Sequence, residues 1–465
     1  MRTSPRSLSR ACIPILLAAA IAGPQIRTVS ANPPTFTLSP LLLADGSSEP
    51  EIAVGGDGTM AMVSLQWLFD PAAFGTSLWT GLFGSPPTLA GIVDGGLQHP
   101  GKTVFGAGDA DVDFGSTGRV HITTLIFLLN PKGRAQLGVS AITCPGPVAG
   151  SLSIDRCSAR IIDTTESDRS WITSDGRHVY ISYHDSGNST LIHVQRSDDD
   201  GFTWTRVGDP VVAQAGTTAD ATFNNIQGNL VADPQTHDVY DIYAAGTTGE
   251  LKARTFTPNH IIVSRSSDLG KTWTANIAFA AAPGTSLGNI FPALAVDPTN
   301  GKLYAVWSDG RTVAFSSSSD RGDHWSAPMA VNSAPANTAL LPWVAAYNGT
   351  VDVVYYGTSA ASNLDSGASW HVYFAQLSGG SFTQTPINAA PNHHGVVCTG
   401  GTGCGPGTRN LLDLFQVAID PLVGKAAVIY TDDTLKTSNA ANNFACLPTQ
   451  TPPCPLPQAV LAQQN

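Results

Sequence analysis

Short apolar segments separated by polar turns recur along most of the chain. Each repeat has one apolar strand, a turn of the Asp-Pro or Asp-Gly type, and a second apolar strand rich in Val, Ile, Tyr and Ala. Turn residues between two β-prone segments predict a β-hairpin. The first strand of each pair is apolar nearly throughout, as expected when both faces of a strand are buried. The copies begin at Glu49, Asp109, Asp168, Gly228, Phe291, Leu341 and Asp413.

The spacing of these copies, about 60 residues, is typical of a ring of repeated sheets. No long amphipathic helical pattern competes with it. We therefore predict an all-β fold, a single β-propeller of four-stranded blades, with seven blades, or six if one copy is an insertion. The segment TFTLSPLLLA from Thr35 is expected to add the outer strand of the last blade, because little sheet-like sequence follows Asp433.

The first 31 residues have the pattern of an export signal. Arg2, Arg6 and Arg10 precede an apolar stretch over 11–23, and a small-residue cleavage motif ends at Ala31. The stretch is too short for an ordinary membrane-spanning helix, and an uncleaved membrane anchor is the alternative. We therefore expect a signal peptide, cleavage after Ala31, and a secreted or periplasmic protein.

The mature chain, residues 32–465, is then one propeller domain with a Cys/Pro-rich C-terminal tail from about 434. Cleavage removes four of the 24 basic residues and no acidic one, so 20 basic residues face 35 acidic ones and the net charge is −15. An acidic surface poor in Lys argues against nucleic acid or an anionic membrane as a partner. The expected partner is a glycan or another polar ligand, and the expected state is a monomer with no membrane span.

Six cysteines remain once Cys12 is removed with the signal. An even number in an exported chain predicts disulfides. Fifteen connectivities are possible. Closeness in sequence favours Cys144–Cys157, Cys398–Cys404 and Cys446–Cys454. His393 and His394 lie near Cys398, which leaves a zinc site as the alternative there.

Three segments follow predicted strands and share the pattern Ser-x-Asp-x-Gly-x-Thr-Trp. A short Asp carboxylate can accept backbone N–H groups inside a tight turn, Gly permits a positive φ, and Trp can pack the turn against its blade. These segments therefore predict structural turns, and the alternative is that their Asp residues are catalytic. They are SDDDGFTW from Ser197, SSDLGKTW from Ser266, and SSDRGDHW from Ser318, in which His324 replaces Thr.

With DRSW…VYISYHD from Asp168 and CTGGTGCGPGTRNLLDLFQVAIDP from Cys398, the three segments resemble the sialidase-like superfamily of Asp-box (BNR-repeat) propellers. Among these proteins, the chain resembles exported bacterial ones that are often labelled sialidase-like. The resemblance covers nearly the whole mature chain. It implies that the Asp boxes lie on the rim away from the ligand face.

A sialidase of this superfamily would supply three Arg that clamp the substrate carboxylate. It would also supply a Tyr nucleophile with a Glu partner and an Asp acid/base. The sequence departs from this pattern, because the Arg-Ile-Pro segment is missing and no catalytic residue can be carried over by motif. The mature chain offers only Glu49, Glu51, Glu166 and Glu250 as partners for a Tyr nucleophile.

Polar residues that begin the innermost strands are expected to ring one mouth of the central channel. Such a ring can bind sugar hydroxyls, hold calcium, or supply the carboxyls of a hydrolase; no other cofactor is expected. The alternative is that each acid only caps a turn. By register the ring contains Glu49, Asp109, Asp111, Asp168, Arg169, Asn229, Asn289, Arg409 and Asp413. The candidate catalytic residues are Asp168, Arg169, Glu49, Asp111, Arg409 and Asp413.

A second candidate cluster is Tyr180, Tyr183 and His184, although strand aromatics more often belong to a core. The sequence thus supports an exported Asp-box propeller that binds, and can process, a glycan or similar polar ligand at the channel mouth. One alternative is an exo-α-sialidase or other glycoside hydrolase, and another is a non-catalytic protein-interaction scaffold, since the fold hosts all three. An enzyme should place an acid pair and an Arg within about 5–10 Å across one pocket.

Overall fold

The computed structural model describes Met1 and residues 33–66, 75–165, 167–187, 191–212, 225–246, 257–439, 446–447 and 450–465. The predicted signal peptide lies outside the described residues apart from Met1, and so do Glu166 and Glu250. In the described ranges the regular structure is β-strand, with short 3-10 turns at Ile154–Arg156 and Gly401–Gly403. None of the helical turns in this part of the chain is long and apolar enough to cross a membrane.

Residues 34–465 form seven antiparallel sheets of at least four strands, the blades. The first strand, β1 (Phe36–Leu41), belongs to the last blade. Blade 1 is β2 (Ser48–Val54), β3 (Thr59–Gln66), β4 (Gly75–Leu82) and β5 (Thr88–Ile92). Blade 2 is β6 (Thr103–Phe114), β7 (Val120–Leu129), β8 (Ala135–Cys144) and β9 (Ser158–Asp163). Blade 3 is β10 (Ser167–Asp175), β11 (His178–Asp185), β12 (Ile192–Ser197) and β13 (Thr205–Arg206).

The remaining blades follow in chain order. Blade 4 is β14 (Asn225–Ala232), β15 (Val239–Ala245), β16 (His260–Ser266) and β17 (Thr274–Ala280). Blade 5 is β18 (Ala293–Val296), β19 (Leu303–Ser308), β20 (Val313–Ser318) and β21 (Met329–Ala330). Blade 6 is β22 (Thr338–Tyr347), β23 (Thr350–Thr358), β24 (Ser369–Ser378) and β25 (Ser381–Pro386), with β26 (His393–His394) also paired to β24. Blade 7 contains β27 (Gln416–Asp420), β28 (Lys425–Asp432), β31 (Gln458–Gln464) and β1, while β29 (Thr437–Ser438) pairs with β30 (Cys454–Pro455).

The blades form a closed ring. The first strand of each blade contacts the first strand of the next, and β27 of blade 7 contacts β2 of blade 1. Each predicted hairpin corresponds to the two innermost strands of one blade. The all-β prediction is therefore confirmed, and the blade number is seven rather than six.

The last blade is closed by both ends of the propeller. The outer strand β1 pairs with β31 from Phe36↔Gln464 to Leu41↔Ala459, so the strand expected from Thr35 is confirmed. The sequence after Asp433, expected to contain little sheet-like sequence, supplies the strand β31, which lies between β1 and β28. Its residues Val460, Leu461 and Ala462 are at most 1% exposed. This segment was missed because it is short and is not part of a repeat-type hairpin.

The three predicted disulfides are all present. Cys144–Cys157, Cys398–Cys404 and Cys446–Cys454 have Cα–Cα distances of 4.1, 5.9 and 5.2 Å. The second bond uses both thiols of the alternative zinc site, so that alternative is wrong. Three disulfides are typical of extracellular or periplasmic proteins.

The three Ser-x-Asp-x-Gly segments form the hydrogen bonds predicted for them. Asp268 accepts the N–H groups of Lys271 and Thr272 at 3.1 and 2.8 Å and the Thr272 hydroxyl at 2.7 Å. In the third segment His324 replaces that hydroxyl, with its Nδ1 2.7 Å from Asp320. Each turn follows the third strand of its blade. Because neighbouring strands run in opposite directions, these turns lie at the opposite end of the ring from the starts of the innermost strands.

Candidate functional site

Bulges at the starts of three innermost strands position the predicted mouth residues. Glu49, Asp109 and Arg169 have φ values of 48°, 37° and 52°. The strand register shifts beside each of them. A left-handed residue within a bulge redirects its side chain, and such backbone strain occurs often at functional sites. Blades 1, 2 and 3 therefore present these three side chains at the same end of the channel.

Glu49, which is buried, and Asp109, which is half-buried, form a carboxyl pair. Their side chains are hydrogen-bonded, and Glu49 is 4% exposed. The pKa of Glu49 is raised to about 7, chiefly by burial and also by the charge of Asp413, while the charge of Arg409 opposes the rise. Burial and the neighbouring Glu49 carboxyl also raise the pKa of Asp109 well above its ordinary value. Burial and the mutual repulsion of the two carboxyls thus both favour the protonated form.

Blade 7 adds an ion pair beside this carboxyl pair. Arg409 donates to both carboxylate oxygens of Asp413, from Nε at 3.2 Å and from one Nη. The backbone N–H of Asp413 points to Glu49 Oε1 at 3.3 Å. The pKa of Arg409 is raised by Asp413 and Glu49 although its burial opposes this. Arg409 is therefore a permanent cation that is largely neutralised by Asp413.

Asp168 is the most accessible side chain of the site, and Arg169 lies beside it. Their side chains are 41% and 18% exposed, and Arg169 Nε lies 3.9 Å from Asp168 Oδ2. The Arg169 guanidinium lies over the Phe291 ring, 4.9 Å from its centroid, in a cation–π contact. The charge of Asp168 also raises the pKa of Asp109. Asp168 thus lies between the exposed surface and the Glu49–Asp109 pair.

A second polar network lies deeper and joins four blades. Gln416 Nε2 donates to Glu51 at 2.7 Å and to Asp111 at 3.3 Å, and its Oε1 accepts the N–H of Ile52 at 2.8 Å. Asp111 Oδ2 accepts the N–H of Ile172 at 2.8 Å. Burial, followed by the charge of Asp111, raises the pKa of Glu51 well above its ordinary value. These bonds hold the innermost strands together below the mouth.

Glu51 and Gln416 were not among the candidate site residues. Each stands directly before an apolar run, Ile-Ala-Val after Glu51 and Val-Ala-Ile after Gln416, as Asp111 stands before Val112. This equivalent position in three repeats was the sequence feature that could have predicted that Glu51 and Gln416 belong with Asp111. Their contact with one another depends on closure of the ring, which brings blade 7 against blade 1.

Aromatic rings from opposite sides of the ring meet at the level of this network. The Trp171 and Trp343 rings, from blades 3 and 6, stack with centroids 5.2 Å apart. Trp171 also contacts Phe291 edge-on at 6.0 Å. Trp343 lines a central cavity of about 270 Å³ whose walls come from all seven innermost strands. The polar mouth is therefore backed by aromatic side chains.

Other predicted residues lie apart from the cluster. Asn229 exchanges two hydrogen bonds with the backbone of Leu294, at 2.8 and 2.9 Å, and so joins blades 4 and 5. Asn289 donates to the carbonyls of Ser286, in the connection before blade 5, and of Ser308, in blade 5. Tyr180 and Tyr183 are buried in different hydrophobic clusters. The tyrosine–histidine cluster therefore does not form one site.

The tyrosine hydroxyls bond elsewhere than at the mouth. Tyr183 donates to Asp163, Tyr240 to Asp238, and the Tyr356 hydroxyl accepts the N–H of Thr431. In the described ranges, no three His, Cys, Asp or Glu side chains are grouped so as to hold a metal ion. The mouth offers a carboxyl pair with raised pKa values, an accessible carboxyl group at Asp168 and two guanidinium groups.

No family model matches the sequence, and no curated protein matches it. Similar solved structures include a protein of unknown function from Dyadobacter fermentans, with 13% identity over 92% of this chain and 98% of that chain and a TM-score of 0.46. A PL25 ulvan lyase has 11% identity over 83% of this chain and 91% of its own, with a TM-score of 0.49. The NanB sialidase from Streptococcus pneumoniae has 9% identity over 90% of this chain and 68% of its own, with a TM-score of 0.42.

Proposed function

We propose that the chain is an exported β-propeller that binds a glycan, or a similarly polar ligand, at the mouth formed by Asp168, Arg169 and the Glu49–Asp109 pair. The observation that carries this proposal is the convergence of ionisable groups from blades 1, 2, 3 and 7 on one end of the channel, beside aromatic rings. Carboxyls with raised pKa values occur often at functional sites, and ligand sites combine apolar walls with a few convergent polar groups. The sequence resemblance to sialidase-like propellers supports the same ligand class.

Each residue has a separate role in this proposal. Asp168 is the most exposed of these side chains and Arg169 lies beside it, so these two make the first contacts with ligand hydroxyls or a ligand carboxylate. The Glu49–Asp109 pair supplies a proton donor to a ligand oxygen. Arg409 acts through Asp413, whose backbone N–H points to Glu49. Asp111, whose oxygens accept backbone N–H groups of Val112 and Ile172, positions the strands that carry the others.

Glycoside hydrolysis is the second candidate. A Glu49 pKa of about 7 suits a general acid at neutral pH, and Asp168 offers a second, accessible carboxyl. An exo-α-sialidase is less well supported, because Arg409 is paired with Asp413 and the Arg169 guanidinium covers Phe291. A clamp of three free arginines is not formed by these side chains.

The test uses the chain without residues 1–31. Binding to a glycan array and hydrolysis of sialosides and other glycosides are measured with and without calcium. We expect Asp168→Ala and Arg169→Ala each to weaken binding about tenfold or more, as loss of a charged hydrogen bond does. Asp323→Ala is the matched control, because Asp323 is an exposed, ion-paired acid in the third Asp-box turn.

The outcomes separate the candidates. Binding that depends on Asp168, without turnover of any substrate, identifies a binding propeller. Turnover that Glu49→Gln abolishes identifies a hydrolase that uses the carboxyl pair. Ligand binding that is equal in both mouth variants and the wild type overturns the site assignment. A folded chain that binds no glycan overturns the proposal in favour of a protein-interaction scaffold.

A further inference from the structure

A lateral groove of about 780 Å³ lies between blades 2 and 3, away from the channel. One side is β9 with the residues that follow it, and the other includes Gln195 of β12 and Arg206 of β13, which are cross-strand partners. Gln195 is 6% exposed and donates to the Tyr183 hydroxyl at 3.2 Å, which in turn donates to Asp163. The volume falls within the range of about 300–1,000 Å³ that is usual for ligand pockets.

Comparison of the three blades that carry an Asp box shows that the polar side chain of Gln195 is not needed for the fold. The three blades can be aligned on the Ser of each Asp box. The position two residues before it is Gln195 in blade 3 but Ser264 and Ser316 in blades 4 and 5. Because a buried polar group without structural need costs free energy, the polar side chains of blade 3 indicate another role.

Two further positions show the same contrast. The position four residues before the Asp-box Ser is His193 in blade 3, Ile262 in blade 4 and Ala314 in blade 5. The position two residues after the Asp-box Trp is Arg206, Ala275 and Ala327 in the same order. His193 lies between Asp185 and Asp209, at 2.9 and 3.2 Å, and Arg206 also pairs with Asp209. The groove wall is thus a connected polar network in blade 3 and apolar or small in blades 4 and 5.

The groove is open because the chain between blades 2 and 3 is short. Three residues separate β9 from β10, whereas 18 separate β13 from β14. The described first residues of the longer connection cover the equivalent position of blade 4, where Ser264 donates to the Pro210 carbonyl at 2.6 Å and Val211 packs beside Tyr243. No such cover is present over Gln195 among the described residues, since this residue lines the groove.

The groove contains a hydrogen-bond donor that makes only a weak contact within the protein. Arg160 lines the groove, and its guanidinium donates a long hydrogen bond, 3.4 Å, to the Ser158 hydroxyl. Among the ion pairs within the described ranges, none involves Arg160. Asp163 stays ionised: burial raises its pKa, but hydrogen bonds from Tyr183 and Thr165 lower it below the ordinary value. The groove therefore combines a guanidinium that has no ion pair among the described residues with a carboxylate and an amide.

We propose that this groove is a second binding site, for a short oligosaccharide that contains an acidic sugar. The carboxylate of the sugar pairs with the Arg160 guanidinium, a geometry suited to two parallel hydrogen bonds. Its hydroxyls bond to Gln195 and Asp163. The site is separate from the mouth and does not depend on the function proposed there.

Calorimetric titration of the chain without residues 1–31 tests this proposal, with trigalacturonate as the acidic probe and maltotriose as the neutral one. We expect Arg160→Gln and Gln195→Ser each to weaken trigalacturonate binding about tenfold. The serine variant reproduces what blades 4 and 5 carry at this position, so it is compatible with the fold. Arg177→Gln, at an exposed turn of blade 3, is the matched control and should bind as the wild type does.

Each outcome of the titration either supports or overturns the proposed groove site. Weaker binding in both groove variants, with Asp168→Ala unchanged, supports the groove and separates it from the mouth. Absence of trigalacturonate binding by the wild type overturns the proposal, as does equal binding by the double variant Arg160→Gln, Gln195→Ser. Loss of binding in Asp168→Ala alone assigns the acidic sugar to the mouth instead. Equal affinity for maltotriose overturns the role given to Arg160.

Discussion

The Glu49 carboxyl is buried against that of Asp109, and this contact has a pH signature. Burial raises the pKa of Glu49 from 4.5 to about 7, so folding favours its neutral form. Its contribution to stability is therefore complete below pH 4.5 and is lost as the pH rises through 7. We expect the free energy of unfolding to fall between pH 5 and 8. In Glu49→Gln this fall should be smaller than in the wild type by about 2–3 kcal/mol. Urea denaturation at both pH values measures this.

Other buried carboxyls contribute to the same slope in both proteins. Burial raises the pKa of Asp352, for example, to about 7, although a hydrogen bond from Gln376 lowers it. The difference between the two proteins is therefore the quantity to compare, and Asp323→Asn should keep the wild-type slope. Identical slopes for Glu49→Gln and the wild type would mean that Glu49 is ionised throughout.

At the scale of the residue, the sequence predicted where several side chains lie but not their burial or their hydrogen-bond partners. Register placed Glu49, Asp168 and Asp413 at one end of the innermost strands, and the structure has them there. It could not predict that Glu49 would be hydrogen-bonded to Asp109 while Asp168 stays exposed. Burial and pairing depend on neighbours from other blades, and each of these carboxyls is from a different blade.

At the scale of the element, the Asp-box turn was the most predictable feature. Its hydrogen bonds connect residues within eight positions of one another, so local sequence specifies them. The innermost strands were less predictable. Asn229 and Asp111 have the pattern of mouth residues, yet both bond to the backbone of the next blade. A polar residue at a strand start has the same local sequence in either role.

Asp268 provides a test of the structural role of these turns. It accepts two backbone N–H groups and the hydroxyls of Ser266 and Thr272. Asp268→Ala leaves these donors without a protein partner, which should lower stability by about 1–2 kcal/mol. Ligand binding at the mouth should be unchanged, because the turn lies at the other end of the ring. Denaturant titration and glycan affinity are measured on the same variant; loss of affinity without loss of stability would contradict the structural role.

At the scale of the whole molecule, closure of the ring creates contacts that no repeat specifies alone. Trp171 and Trp343 are 172 positions apart in the sequence, yet their rings stack across the channel. Gln416 reaches Glu51 because blade 7 is adjacent to blade 1. The number of blades, read from the repeats, was enough to predict a ring. The side chains that would meet inside it could not be predicted, because this depends on the tilt and depth of every blade.

Both ends of the propeller contribute a strand to the last blade, but the two strands are not equally buried. The C-terminal strand β31 lies between β28 and β1, and Val460, Leu461 and Ala462 are buried. The outer strand β1 has one neighbour, and its Leu38 is 40% exposed. Burial of a large apolar side chain contributes about 1.5–3 kcal/mol, and an unpaired inner strand also loses its backbone hydrogen bonds. The two ends should therefore differ in how much stability depends on them.

We expect a chain that ends at residue 457 to lose cooperative unfolding, because the β28 edge and the core beneath β31 become exposed. A chain that begins at residue 42 should remain folded, with a melting temperature lowered by a few degrees. Scanning calorimetry of the two truncated chains, each without residues 1–31, measures the difference. Equal melting temperatures would show that β31 does not close the ring. A larger loss on removing β1 would mean that the N-terminal strand is the main closure.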